Sequence, residues 1–232
     1  MNAVEKIAES VPLKWARIVV HGPESEKYLQ GQLTQDLTSL GDGGLWSLLL
    51  RPDSVILTTC FVERDEDGFS LTLAHDTAEA ALARLRRFHL RVDCTLELGD
   101  TARGPFASSA DLVESRWPDA NEFHAELTPR SYGSRFVGAT VSFTKGCYTG
   151  QELVGRLEAR GSNVPWRLVW ASGPSIEAVD EVLRSKGPAG PQGVTTAVRR
   201  AERVEALGFA HRTLLLASHQ DSPSDVTIEE AG

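Results

Sequence analysis

The chain has 232 residues, 41% of them hydrophobic and 24% charged, with a formal charge of −8. That balance suits a soluble protein of one large or two smaller domains. No apolar run approaches the ~20 residues of a membrane helix. The acidic balance also argues against a nucleic-acid-coating protein, whose affinity rests on neutralising phosphates. Cys60, Cys94 and Cys147 leave neither an even pairing nor a CxxC spacing. A disulfide framework and a self-sufficient zinc or iron-sulfur site are therefore not expected, and no metal ligands are assigned. Residues 1–11 carry no apolar h-region, so no secretory signal is read and a cytoplasmic protein is expected. With the charge and the lack of a long apolar run, no direct nucleic-acid or membrane partner is expected.

In chain order, residues 15–20 read as a strand ended by His21 and Gly22. Pro23, with Glu24 and Glu26 behind it, starts a helix whose apolar side is Tyr28, Leu29, Leu33 and Leu37. Residues 45–50 form a buried-type strand, and 54–63 and 69–74 a hairpin closed by Asp65-Glu66-Asp67-Gly68. Asp76 or Thr77 caps a helix with Ala78, Ala81, Leu82, Leu85 and Phe88 on one face. Its Arg84, Arg86 and Arg87, with Arg91, make a basic patch that reads most simply as a solvated helix face. Alternation through 91–98 predicts another strand. Strand, helix, strand, hairpin, helix, strand is a ferredoxin-like α+β order with an antiparallel sheet.

A polar connector follows at 99–109, and 111–142 reads as mixed short elements. Trp166, Leu168 and Trp170 alternate, and strands at 193–200 and 204–210 follow a Gly-Pro-rich break. They predict a small antiparallel β-barrel or sandwich module. The expected divisions are 1–163, 164–218 and a disordered acidic tail at 219–232.

The segment richest in chemistry is Lys145-Gly146-Cys147-Tyr148-Thr149-Gly150-Gln151-Glu152, followed by Arg156, Arg160, Gly161 and Asn163. A thiol, an ammonium, a phenol, an amide and a carboxylate around two glycines make a poor core segment and a good site loop. Positive charge from Lys145 and Arg156 would favour a Cys147 thiolate. The alternative is a plain turn in which Cys147 fills a small gap.

This octet resembles the KGCYxGQE signature of the YgfZ folate-binding proteins, and residues 22–36 resemble their N-terminal signature. The match extends over most of 13–98 and 141–213. Such proteins are similar to the T-protein, the aminomethyltransferase of the glycine cleavage system. The resemblance implies an aminomethyltransferase-like folate-binding body, a tetrahydrofolate ligand and a role in maintaining iron-sulfur client proteins that affects tRNA modification indirectly. It implies Cys147 as the working or persulfide-accepting thiol, with Lys145 beside it. Trp15 would stack on the folate ring, and Glu114 would accept hydrogen bonds from its pterin edge. Tyr148, Gln151, Glu152 and Arg156 would shape the loop or contact the ligand. Trp15 as core and Glu114 as a surface carboxylate remain open alternatives.

The chain departs from the pattern in several places. The connector is too short for the middle domain of longer members, and Ser108 stands where their second stacking tryptophan lies. Arg51-Pro52-Asp53-Ser54 replaces a glycine-rich turn, Thr144 a frequent lysine, and Arg116 a glycine. Two further functions fit the residues. One is a tetrahydrofolate-dependent aminomethyl transferase, with Asp36 as its candidate carboxylate. The other is a folate-free interaction module.

Overall fold

The structure is a computed structural model describing residues 10–159, 164–217 and 225–231. Its first sheet contains β1 (Trp15–His21), β2 (Leu45–Leu50), β3 (Ile56–Asp65), β4 (Gly68–Ala74) and β5 (Thr95–Ala102) in the order β2-β3-β4-β1-β5, with every neighbour antiparallel. Two helices, α1 (Ser25–Gln30) and α2 (Ala78–Arg87), cover one face. Ile18, Val20, Leu71 and Leu73 from the strands meet Leu29, Leu82 and Leu85 there, all buried, because the period-2 strands and the helix stripe present their apolar sides to each other. Leu33 and Leu37, read as part of the first helix, are buried beyond its end in a turn and a short 3₁₀ helix.

Arg84 departs from the expected solvated face. It is buried, donating from Nε to the Leu50 carbonyl (3.1 Å) and from Nη1 to Gln32 Oε1 (3.0 Å). Its guanidinium lies over the ring of Phe88 (4.2 Å to the centroid), a residue that is exposed rather than core. Arg86, Arg87 and Arg91 remain at the surface.

The other face of the first sheet carries short helices: α3 (Ser109–Ser115), α4 (Ala120–Phe123) and α5 (Ser134–Thr140), with α6 (Gln151–Ala159) following the octet. A second sheet lies beyond them, in the order β7-β8-β6-β9, made of β6 (Trp166–Gly173), β7 (Gly193–Arg200), β8 (Arg203–His211) and β9 (Thr227–Glu230). No pairing of β7 with β9 closes it among the described residues. The apolar stripe of α7 (Ile176–Arg184) packs on its outer face through Val179 and Leu183; this helix went unread in the sequence. The last helix among the described residues is α8 (Arg212–Ala217).

β9 lies within the stretch expected to be a disordered tail. It pairs with the open edge of β6, Glu229 meets Arg116, and Ala231 is buried. The unpaired N–H and C=O groups of a strand edge offer a template that such a segment can complete. Between the two sheets lies one aromatic-rich core: Leu48, Leu50, Trp117, Tyr132 and Phe136 pack with Leu168, Leu207 and Phe209. It draws on residues from both sides of the expected 163/164 boundary, which itself falls beside the undescribed 160–163.

Candidate functional site

The octet enters from the end of α5, and its seat is the turn at residues 30–36. Thr34 is fully buried; its hydroxyl donates to the Thr140 carbonyl (2.6 Å) and accepts from the Leu48 amide (2.9 Å). The Ser142 amide donates to the Thr34 carbonyl (3.0 Å), and the Thr149 amide to the Gly31 carbonyl (3.1 Å). The N-terminal signature is thus the surface on which the octet is built. A third anchor comes from the 51–54 turn, where the Ser54 hydroxyl donates to the Gly150 carbonyl (2.6 Å). Gly150 has φ +86, and a Cβ there would stand 2.6 Å from the Arg51 carbonyl oxygen, so only glycine fits.

Within the loop the side chains divide sharply. Tyr148 is buried in the core between the sheets, and burial pushes its phenol up to about 12. The side-chain oxygen of Gln151 accepts from the Tyr148 amide (3.1 Å), closing the turn into α6. Lys145 is half-buried, with Nζ at 2.8 Å from the Gln30 and Leu33 carbonyls and 3.0 Å from that of Gln35. Burial lowers its amine to about 8, opposed by the nearby Asp36 carboxylate. Cys147 is exposed, whereas Cys60 and Cys94 are buried. The residue before Cys147, Gly146, has open space where a Cβ would stand. Glu152 is exposed on the first turn of α6. The side chain of Arg156 and residues Arg160, Gly161 and Asn163 lie outside the described residues.

Trp15 and Glu114 are placed differently from the expected ligand contacts. Trp15 is 3% exposed; its indole N–H donates to the Phe106 carbonyl (2.8 Å), and a Cβ on Gly104 would overlap its ring at 2.1 Å. The short connector therefore covers the indole ring and leaves Trp15 buried. Phe106 also stacks on Trp46, at 5.9 Å between centroids. Glu114 stands on the surface of α3, 72% exposed, in an ion pair with Arg200 of β7 (2.7 Å). Ser108 caps α3 in a capping box with Asp111. As they stand, Trp15 and Glu114 do not fit a folate ring. Asp36 caps the 3₁₀ helix, accepting from the Thr38 amide and hydroxyl and from Gln30 Nε2 (2.6 Å). Hydrogen bonds hold that carboxyl below the usual range and leave it in a bracing role.

Two buried carboxylates went unread in the sequence. Glu122 is fully buried and accepts from the hydroxyls of Thr195 (2.6 Å) and Thr196 (2.7 Å) and from the Asp119 amide (2.9 Å). Burial raises its carboxyl, and burial plus the Glu122 charge pushes Asp119 up to about 7. The Asp-x-x-Glu spacing signals a capping box, but nothing local signals the threonines of β7. A separate open cleft of about 520 Å³, lined by His21, Asp67, Asp93, Cys94 and Thr95 among others, contains no residue of the octet. Among the described residues no three His, Cys, Asp or Glu side chains gather as metal ligands, and no helix is long and apolar enough to cross a membrane.

No family model matches the chain. It is 27% identical to the tRNA-modifying protein YgfZ of Klebsiella pneumoniae over 72% of each chain. With its Cronobacter sakazakii counterpart it shares 26% identity over 64% of this chain and 66% of the other. Its fold matches that of the glycine cleavage system aminomethyltransferase T from Bartonella henselae, with a TM-score of 0.59 at 15% identity, covering 89% of this chain and 79% of that one. The chain is thus similar in sequence to YgfZ tRNA-modifying proteins and shares the fold of the aminomethyltransferase.

Proposed function

We propose that this chain is a YgfZ-type accessory protein that works through the Cys147 thiol, with iron-sulfur proteins as its clients and tRNA modification as a downstream effect. The observation that carries this reading is the contrast among the cysteines: Cys60 and Cys94 are buried, while Cys147 stands exposed on a loop anchored at several points. Burial also pushes the Cys60 thiol up to about 12 and raises that of Cys94, which disfavours their thiolates. A thiol that handles sulfur must be reachable and held in place, and only this one is both. The relatives' description as tRNA-modifying proteins supports the downstream effect.

A reduced folate belongs to the reading through those relatives and the fold. Trp15 and Glu114 would not hold it where they are, so folate enters no step here. The transferase alternative loses support because Asp36, its candidate carboxylate, is taken up in capping.

The test is residue-resolved alkylation of the folded protein near pH 7, together with complementation of a YgfZ-deficient strain. Cys147 should label well ahead of Cys60 and Cys94, and Cys147→Ser should melt like the wild type yet fail to complement. Equal labelling of the three cysteines, or full complementation by the Ser variant, would remove the thiol from the mechanism. Calorimetry with tetrahydrofolate addresses the ligand separately; no heat at millimolar concentration would leave a folate-free accessory protein.

A further inference from the structure

We infer that Lys145 is a positioning residue: its ammonium clasps the 30–35 turn and thereby holds the neighbouring Cys147 loop against the N-terminal unit. The role presupposes the reading of Cys147 as the working thiol and adds how that thiol is held.

Nζ of Lys145 lies 2.8 Å from the Gln30 carbonyl, 2.8 Å from that of Leu33, 3.0 Å from that of Gln35 and 3.2 Å from Gln30 Oε1. All four are acceptors only. An ammonium has three N–H donors and satisfies three carbonyls at once, whereas a neutral amine has two and turns a lone pair toward the third. These bonds span 110 or more residues of chain, so they tie two distant segments rather than shape one turn. The titratable groups facing Lys145 are Asp36, whose charge favours the ammonium, and Tyr148, whose ring centroid is 5.4 Å from Nζ. Asp36 is itself held by Gln30 Nε2, and Gln30 Oε1 also accepts from the Leu37 amide (3.0 Å). Lysine, glutamine and aspartate thus form one network around the turn. With its donors spent on carbonyls, Lys145 is not free to relay protons for Cys147. Its charge serves the backbone that carries the thiol, and loss of its proton just above neutral pH would loosen that hold.

The experiment follows Cys147 alkylation by iodoacetamide in the full-length protein from pH 6.5 to 9.5, with the thiolate fraction measured at each pH by its ultraviolet absorbance. Rate per thiolate then reports exposure of the loop. In the wild type it should step up on the order of fivefold as pH passes the Lys145 transition, one charge-assisted hydrogen bond set being lost. Lys145→Met should already sit at the high value, without a step. Lys145→Arg should restore the low value near pH 7, since it keeps the charge. Asp36→Asn, which removes the facing charge and keeps an acceptor, should move the step to lower pH, and it serves if the Met variant does not fold. A flat wild-type profile, or a Lys145→Met profile with the same step, overturns the clasp. Hydrogen exchange at residues 30–36 reads the clasp without the thiol: faster exchange in Lys145→Met supports it even where Cys147 proves unreactive, and unchanged exchange overturns it.

Discussion

The hydroxyl of Thr34 serves two buried partners at once, donating to Thr140 and accepting from the Leu48 amide. Thr34→Val keeps the shape and leaves both without it, so it should cost about 1–3 kcal/mol in urea unfolding, while Thr34→Ser should recover most of that. A Val variant as stable as wild type would show that the octet does not depend on this seat. Arg116 offers a contrasting case. It holds a left-handed conformation (φ 56) at the end of α3, at the position where the resembling family carries glycine. The strain is offset by an ion pair with Glu229 and by stacking on the Trp170 ring (4.9 Å). Arg116→Ala keeps the strain and loses both contacts. Arg116→Gly loses the contacts but relieves the strain, and should be the more stable of the two by about 1 kcal/mol. Thermal melts of the pair decide it.

At the scale of elements, the joint between α4 and β7 is a buried carboxylate cluster with a defined pH signature. Asp119 titrates near 7 in the folded chain, against an unfolded value near 3.8. The folded state therefore holds a proton that the unfolded state has lost over that interval. Stability from this group is full below the unfolded value and declines as pH rises through about 7. Urea unfolding should find the protein more stable at pH 5.5 than at pH 8, with Asp119 contributing on the order of 1 kcal/mol or more. Asp119→Asn keeps a cap acceptor without the charge and should flatten that dependence. An equal slope in both proteins would mean that Asp119 is ionised at neutral pH.

Over the whole molecule, three apolar layers alternate with two sheets: α1 and α2 on one outside, α7 on the other, and an aromatic core between. Because Leu48 and Leu50 share that middle core with Leu168, Leu207 and Phe209, neither sheet can leave without exposing it. Calorimetry should therefore give one cooperative unfolding transition, with the calorimetric and van't Hoff enthalpies in agreement. Two resolved transitions would make the sheets independent units.

What the sequence determined by itself were the features with a short period or a contiguous motif. The bounds of β2 and the register-setting hairpin of β3 and β4 follow from alternation and from turn chemistry that acts within a few residues. The stripe of α2 was legible as far as Leu85, and the octet stood out because its residue types make no sense as core. Tertiary structure alone decided the pairings across long stretches of chain. It turned Lys145 from a charge beside a thiol into a clasp on residues 30–35, buried Arg84 against Leu50 and Gln32, and joined Glu122 to Thr195 and Thr196. It also laid Gly104 over Trp15 and gave the acidic segment at β9 a strand edge to complete. The reason is the same in each case: a polar side chain or a free edge is satisfied by whatever the fold brings within about 3 Å, and local sequence carries no record of which distant segment that will be.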